Sequence, residues 1–241
     1  MFTHDFYSHM QLKQIATFHS PFGTKFGIPK QAGLATNLQG VIEFCDEYRN
    51  ADYLRGIESF DYLWLLWGFS ANKHAANSPL VRPPLLGGNE RMGVFATRSP
   101  FRPNPIGLSS VRLGSVEFDN PHGPVLNVLG ADLMDGTPIY DIKPYIVYAD
   151  AHPDARSGFV DTHALHRLVV NIGAEVAKEL TDAQIANLKD VLALDPRPHY
   201  HSDPNKVYGM MFDGYDIHFS VDNDTLYVID CLNPNRSLDR I

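Results

Sequence analysis

Cysteine is scarce in this sequence: of its 241 residues, only Cys45 and Cys231 are cysteines. Two cysteines supply neither a disulfide framework nor a thiolate zinc cluster, so burial of apolar side chains must stabilise the fold. Long apolar runs are also absent, because the longest, Tyr62 to Phe69, is far shorter than the ~20 residues that cross a bilayer. The N-terminus shows no basic segment followed by an apolar run. We therefore expect a cytoplasmic protein with no signal peptide and no membrane contact.

Two common nucleotide-binding motifs are missing as well. No G-x-G-x-x-G segment follows a predicted strand and no G-x-x-x-x-G-K-[ST] loop occurs, so neither a Rossmann crevice nor a P-loop is supported. The histidine pairs His163/His166 and His199/His201 have no cysteine or carboxylate partners at ligand spacing. We therefore predict no metal site and interpret both pairs as polar surface.

Charge is unevenly distributed along the chain. The 20 basic and 28 acidic side chains give a formal net charge of −8, which argues against a globally basic nucleic-acid binder. Yet residues 6–42 contain three lysines and no Asp or Glu, and residues 82–112 contain five arginines against one glutamate. These two segments predict an anionic partner, with pairing between the arginines and the protein's own carboxylates as the alternative.

The first 150 residues favour β-structure. Short apolar segments bounded by Gly and Pro recur at near-regular spacing, with almost no helical periodicity. The polar, proline-containing residues 71–88 indicate an ordered loop, and the aromatic run at 60–69 indicates a fully buried strand. The pattern predicts a small barrel or sandwich with strands at 11–18, 40–47, 60–69, 91–98, 106–118 and 124–132.

The pattern changes after Asp150, where residues 151–157 predict a linker. Thr181 to Gln184 forms a capping box that opens a helix, and the prolines that follow Asp195 end it. Turns at Asp213-Gly214 and at 222–224 separate predicted strands. The predicted strands are 168–177, 207–212, 215–221 and 226–231. The fold is thus predicted to be mainly β with α+β: a small β-barrel domain over residues 1–150 and a small α+β domain over 151–241.

The densest polar segment is the loop within residues 93–109. Its three prolines restrict the backbone, so the loop loses little conformational freedom when a ligand binds. Arg98 and Arg102 offer planar guanidinium groups that suit carboxylates or phosphates. A binding loop and a rigid barrel corner, whose arginines bond local carbonyls, both fit this pattern.

Two other segments carry candidate polar groups. Asp132 and Asp135 lie at a predicted turn, where their carboxylates either share a pocket or cap Asx turns. Residues 27–31 form a basic, proline-containing loop. The aromatic side chains of residues 62–69 lie in one unbroken apolar run, so we assign them to the core rather than to a base-stacking platform.

Four segments carry a family resemblance. They read GIPKQAGL (27–34), GIESFDYLWLLWGFS (56–70), VRPPLLGGNERMGVFATRSPFRPNPIGLS (81–109) and GADLMDGTPIYDIKPY (130–145). Together they resemble the TrmO (YaeB/TsaA-like) family of tRNA adenosine methyltransferases, and ATRSPFRPNPIG is the most specific part. The later DPRPHY (195–200) and the C-terminal hairpins are similar to the longer bacterial members, so the resemblance spans nearly the whole chain.

The resemblance implies a β-barrel methyltransferase outside the Rossmann class that uses S-adenosyl-L-methionine and is usually a homodimer. It implies methylation of N6 of N6-threonylcarbamoyladenosine at position 37, in the anticodon stem-loop of tRNA, with the C-terminal domain as a candidate tRNA-binding unit. Many members carry histidine at the position of Ser70, and here His74 lies a few residues further on. Carried over by motif, the cofactor pocket comprises Pro29, Lys30, Gln31, Phe69, Ser70, Arg98, Leu108, Asp132, Leu133, Met134, Asp135 and Gly136.

Methyl transfer to such a base suggests roles for these residues. In-line displacement at a sulfonium carbon needs mainly positioning, which contributes up to about 7–11 kcal/mol in well-oriented systems. Arg98 or Lys30 would hold the cofactor carboxylate, and either Asp132 or Asp135 would accept the N6 proton. Contacts to tRNA phosphates are assigned to Arg82, Arg91 and Arg102.

Two alternatives stay open at this point. A non-catalytic RNA-binding β-barrel would recognise the anticodon arm without cofactor dependence and without methyl transfer. A metal-dependent hydrolase would use Asp132, Asp135 and Asp141 and would lose activity with a chelator. The lack of histidine partners argues against the hydrolase.

Overall fold

The computed structural model describes residues 11–72, 78–162, 165–197 and 203–233. The chain is mainly β, and a closed barrel precedes a C-terminal α+β region, as predicted. Within the described residues, no helix combines the length and the apolar character that a membrane span requires.

Six antiparallel strands of the described chain close the barrel in the order β1-β2-β7-β6-β3-β8. The short strands β4 and β5 pair with each other outside it. The strands up to this point are β1 (Ala16–His19), β2 (Gln39–Phe44), β3 (Tyr62–Gly68), β4 (Leu80–Val81), β5 (Met92–Gly93), β6 (Ile106–Glu117), β7 (Val125–Leu129) and β8 (Thr137–Pro144).

The barrel core follows from the alternation of side chains along each strand. On β3, Leu63 and Leu65 are fully buried, whereas Tyr62 on the opposite face is 45% exposed. The prediction of a strand buried on both faces is therefore wrong for this end of β3. Each inward leucine contributes roughly 1.5–3 kcal/mol of transfer free energy, so this row helps to fix the barrel register.

Two segments of the barrel differ from the predictions. We predicted no strand between residues 132 and 150, yet β8 pairs with both β1 and β3 and closes the barrel. Its prolines stand at position 138, next to the start, and at its end, where a missing N–H is best tolerated. The strand predicted at 91–98 shrinks to β5, because the chain turns into a 3₁₀ segment at Val94–Ala96.

The C-terminal region is a four-stranded sheet in the order β10-β11-β12-β9, with β9 parallel to β12. Its strands are β9 (Val169–Ile172), β10 (Tyr208–Phe212), β11 (Tyr215–Asp222) and β12 (Thr225–Leu232). The helices are α1 (Val147–Asp150), α2 (Ala174–Ala177) and α3 (Asp182–Leu192). The capping box at Thr181 and Gln184 is present, as predicted, whereas the strand predicted at 168–177 ends at Ile172 and continues into α2.

The segment between β1 and β2 belongs to the core of the C-terminal sheet rather than to that of the barrel. Phe22 is fully buried there, and its ring lies 5.6 Å from that of Phe212. The backbone N–H of Asp213 donates to the carbonyl of Pro21 at 2.8 Å, and Gly33 N–H donates to Gly130 of the barrel at 2.8 Å. This segment therefore connects the two regions physically.

Candidate active site at the barrel mouth

A cavity of about 780 Å³ opens at one end of the barrel. Four stretches of chain surround it: the loop before β2, the end of β3, the proline-rich loop before β6, and the turn before β8. Its walls are largely apolar, since Trp64, Trp67, Phe69 and Leu108 all line it. We assigned the aromatic residues at 62–69 to the core, and Trp67 is indeed buried. Trp64 and Phe69 are only partly buried and also form the cavity wall.

Cationic groups dominate the charged lining of the cavity. Lys25, Lys30, Arg98 and Arg102 all line it, and Asp132 is the single carboxylate among the lining residues that the structure describes. The whole chain is acidic, so this local excess of positive charge favours an anionic ligand at this place.

A chain of hydrogen bonds holds Asp132. The indole Nε1–H of Trp67 donates to Ser109 Oγ at 3.0 Å, and Ser109 Oγ–H donates to Asp132 Oδ1 at 2.6 Å. Since an indole only donates, the serine hydroxyl accepts on one side and donates on the other. Burial raises the pKa of the Asp132 carboxyl, whereas the Ser109 hydroxyl, backbone N–H groups and Arg98 oppose the shift. The result is a fixed, partly desolvated carboxylate of the kind found at proton-transfer sites.

The register of β3 and β6 produces this arrangement. Leu65 pairs with Ser109 and Trp67 pairs with Gly107, so the indole and the serine are diagonal neighbours. A Cβ added at Gly107 would lie 2.2 Å from the Trp67 ring. Glycine therefore lets the indole lie across β6 and reach the serine hydroxyl.

The loop over residues 27–33 forms the opposite wall. Arg98 Nη1 donates to Gln31 Oε1, and Gly33 is anchored to Gly130. Lys30 reaches solvent at the cavity rim, where partial burial lowers the pKa of its ammonium group and the Asp195 carboxylate opposes that shift. The loop thus supplies the Lys30 ammonium group, and through Gln31 it holds the Arg98 guanidinium on the same side of the cavity.

The proline-rich loop is held by its own hydrogen bonds. Arg102 Nη1 donates to the Thr97 carbonyl at 3.2 Å, and Phe69 N–H donates to the Pro105 carbonyl at 3.0 Å. The sequence left two interpretations of this loop open, a binding loop and a rigid barrel corner. The structure agrees with both, because the loop is held by local hydrogen bonds and also lines the cavity.

Most of the residues predicted for the cofactor pocket meet in this cavity. Leu133 is instead buried in the barrel core, and Asp135 lies outside the lining, where Oδ1 bonds His19 Nδ1 at 3.1 Å and accepts from Ser20 N–H at 3.2 Å. Gly136, Arg82 and Arg91 also lie outside the lining. The lining includes the predicted residues Pro29, Lys30, Gln31, Phe69, Ser70, Arg98, Arg102, Leu108, Asp132 and Met134.

Sequence reasoning missed Ser109, Lys25 and Phe95 as site residues. Ser109 is the last residue of the motif at 81–109, but its role depends on strand pairing, which the motif does not reveal. Lys25 and Phe95 stand in the basic segments that we singled out. Within the described ranges, no three His, Cys, Asp or Glu side chains form a group that could hold a metal ion. His74, His163, His199 and His201 lie outside the described residues.

A closed barrel with a cation-lined cavity at its mouth defines a β-barrel of non-Rossmann type. The family model for the tRNA-methyltransferase O N-terminal domain matches residues 17–151, and that for the TrmO C-terminal domain matches residues 166–234. The chain belongs to the tRNA-methyltransferase O family, so the prediction of a methyltransferase that acts on tRNA is confirmed.

Individual relatives agree with this assignment. The chain is 38% identical over 235 residues to the tRNA (adenine(37)-N6)-methyltransferase of Escherichia coli K12, covering 94% of this chain and 99% of that protein. A crystal structure of TrmO from Pseudomonas aeruginosa matches with a TM-score of 0.76 at 32% identity, covering 96% of this chain and 100% of the other. A further P. aeruginosa relative, 37% identical over 216 residues (85% of this chain and 90% of that protein), is provisionally named an S-adenosylmethionine-dependent methyltransferase.

Proposed function

We propose that this protein transfers a methyl group from S-adenosyl-L-methionine to N6 of the adenosine at tRNA position 37. The name of the E. coli relative supports the position and the atom, and the name of the P. aeruginosa relative supports the cofactor. The observation that carries the proposal is the cavity, in which cations, aromatic walls and one hydrogen-bonded carboxylate converge. The N6-threonylcarbamoyl form of that adenosine is the substrate that we propose.

The residues of the cavity fit the proposed cofactor. Its volume of about 780 Å³ falls within the roughly 300–1,000 Å³ of small-molecule sites. Arg98, oriented by Gln31, and Lys30 would hold the cofactor carboxylate, and the walls formed by Phe69 and Leu108 would contact the adenine ring. When bound, the cofactor supplies an electrophilic methyl group on a positively charged sulfur.

Asp132 is the proposed proton acceptor. N6 of the threonylcarbamoyl base is amide-like and a poor nucleophile, so its proton must leave as the new N–C bond forms and the S–C bond breaks with its electron pair going to sulfur. Ser109 orients the carboxylate at the cavity wall, and the raised pKa makes it a better base than an exposed aspartate. Asp135 ranks second, because it lies outside the lining and pairs with His19.

The arginines proposed to contact tRNA phosphates lie at two distinct places, one in the cavity lining and two outside it. Arg102 stands in the cavity lining and would contact a phosphate next to the target nucleotide. Arg82 and Arg91 are exposed outside the lining and would contact phosphates further away. Such contacts position the tRNA without reading its sequence.

Several further predictions accompany this function. We propose a homodimer, a cytoplasmic location next to the tRNA pool, and a division into domains at residue 150, with 151–241 contributing to tRNA binding. The segment 20–38 supports a coupling between the two regions, since its apolar side chains pack in the C-terminal core while its Gly33 is bonded to the barrel.

Nucleoside mass analysis tests the proposal. Purified protein is incubated with and without S-adenosyl-L-methionine and with tRNA from cells that lack this enzyme, one sample carrying threonylcarbamoyladenosine and one lacking it. We expect a cofactor-dependent gain of one methyl group on that nucleoside in the first sample alone. Methylation of plain adenosine would overturn the substrate, and tRNA binding without any methylation would favour the non-catalytic RNA-binding barrel.

A further inference from the structure

One large aromatic side chain stands at the cavity without packing into the protein. Phe95 lines the cavity, yet 79% of its surface is exposed. Burying a phenyl side chain contributes roughly 1.5–3 kcal/mol, and the fold does not use this contribution at Phe95. A single exposed aromatic residue is ordinary on a protein surface, whereas one on a rigid backbone beside cationic groups at a cavity is not.

The backbone beneath Phe95 is held rigidly. Val94 is buried, and its N–H donates to the Pro79 carbonyl at 2.9 Å. The Thr97 hydroxyl and the Thr97 N–H both donate to the Val94 carbonyl, at 2.9 and 3.2 Å. The 3₁₀ turn that carries the ring is therefore fixed on both sides, so the exposed ring is presented at low entropic cost.

Cationic groups flank the ring along the same loop. Arg98 and Arg102 follow Phe95 within seven residues, and both line the cavity. Phe101, which lies between them, is 48% exposed. Alternation of aromatic rings with guanidinium groups at a cavity rim is the chemistry that binds single-stranded nucleic acid, in which bases stack and phosphates pair with cations.

We propose that Phe95 stacks on the base of a nucleotide that flanks the target adenosine. This inference rests on the proposed function, because a base that enters the cavity must leave its stack and uncover the faces of its neighbours. The phenyl ring at the rim replaces the lost stacking partner. Phe95 is thus a substrate-binding residue for the anticodon loop, separate from the cofactor contacts.

The test uses an anticodon stem-loop RNA with 2-aminopurine on either side of the target adenosine, bound to the full chain in the presence of S-adenosyl-L-methionine. Stacking on Phe95 quenches the fluorescence at one of these positions. Phe95→Leu keeps an apolar side chain but removes the π face, so we expect the loss of that quenching and about 5- to 150-fold weaker RNA binding. Phe95→Trp should restore both, and Phe118→Leu, which alters another exposed phenylalanine outside the cavity lining, should change neither.

Three results would overturn the inference. Unchanged quenching and RNA affinity in Phe95→Leu would exclude the stacking contact. Weaker cofactor binding by that variant would instead show that the ring contacts the cofactor. A change from dimer to monomer in sedimentation would show that the ring contacts a second copy of the chain. A methylation assay on the unmodified protein runs in parallel. Quenched binding without methylation would therefore contradict the proposed function while leaving the stacking contact in place.

Discussion

The Ser109 hydroxyl lies 2.6 Å from Asp132 Oδ1 and donates its proton to that carboxylate, because the Trp67 indole occupies the other side of the oxygen as a donor. The direction of this bond has consequences for pH dependence. A donor stabilises the charged form of a carboxylate, so it lowers the pKa that burial raises. Ser109 therefore helps to keep Asp132 ionised and able to accept a proton.

Ser109→Ala should move the acidic limb of the kcat/KM profile to higher pH. Loss of the donor raises the Asp132 pKa further, so more of the enzyme carries a protonated, inactive carboxyl at a given acidic pH. We expect roughly a tenfold loss of kcat at neutral pH, since hydrogen bonds to charged groups contribute about 1.5–3 kcal/mol. Ser110→Ala, at the adjacent position on the opposite face of β6, is the matched control and should leave the profile unchanged. A profile unchanged in Ser109→Ala would contradict the role of the hydroxyl.

Asp132→Asn should lower the methyl-transfer activity and raise the stability of the fold at neutral pH. Burial raises the pKa of Asp132 in the folded protein above its value in the unfolded chain. Such a carboxyl stabilises the fold while it is protonated, and this stabilisation is lost as the pH rises from the unfolded-state pKa through the folded-state pKa. The neutral amide avoids that loss, so the melting temperature of the variant should exceed that of the unmodified protein at pH 7, and the gap should close in acid. Removal of a general base typically costs about 10²–10⁴-fold in kcat. Unaltered methyl transfer would shift the proton-accepting role to Asp135.

Gly27→Ala should weaken cofactor binding through the C-terminal sheet. Gly27 has a φ of +90°, and a Cβ there would lie 2.1 Å from Met210 Sδ on β10, so either the buried Met210 side chain or the loop that carries Lys30 must shift. We expect at least about 1 kcal/mol of lost stability from the backbone strain, together with weaker cofactor binding in titration calorimetry. Gly23→Ala is the control, because nothing lies within 4 Å of its added Cβ. Equal cofactor affinity in both variants would show that the loop position does not govern binding.

Arg102→Ala should flatten the salt dependence of tRNA binding. Each phosphate contact contributes about 0.7–0.9 to the slope of log K against log salt, so removal of one contact should reduce the slope by about one unit. Arg102→Lys keeps the charge and should preserve the slope, although it loses the fork that bonds the Thr97 carbonyl. Arg55 pairs with Asp52 and lies outside the cavity lining, so Arg55→Ala is the control and should leave the slope unchanged. An unaltered slope in Arg102→Ala would remove this residue from the phosphate contacts.

Local signals in the sequence predicted the elements that depend on nearby residues. The capping box at Thr181 and the Asp213-Gly214 turn involve contacts within four residues, so α3 and the β10–β11 hairpin were predictable. Strand β8 was missed because Pro138 and Pro144 read as loop signals, and its partners β1 and β3 are distant in sequence. Its pairing depends on closure of the whole barrel.

The residues of the candidate site were likewise predictable where a local motif marked them and not where their role depends on strand pairing. The motifs predicted Arg98, Lys30 and Asp132, which the structure brings to one cavity. The role of Ser109 stayed hidden, since a serine within a strand has no signature until the pairing of β3 with β6 places Trp67 beside it.

An isotope-labelling experiment shows whether this protein transfers the methyl group of its cofactor to tRNA. S-Adenosyl-L-methionine with a deuterated methyl group is incubated with the protein and threonylcarbamoyl-modified tRNA, and the digested nucleosides are analysed by mass spectrometry. We predict the labelled methyl on N6 of the nucleoside at position 37 with the unmodified protein, and its near absence with Asp132→Asn. A tRNA that stays unlabelled despite bound cofactor would exclude methyl transfer by this protein, and equal labelling by both proteins would exclude Asp132 as the proton acceptor.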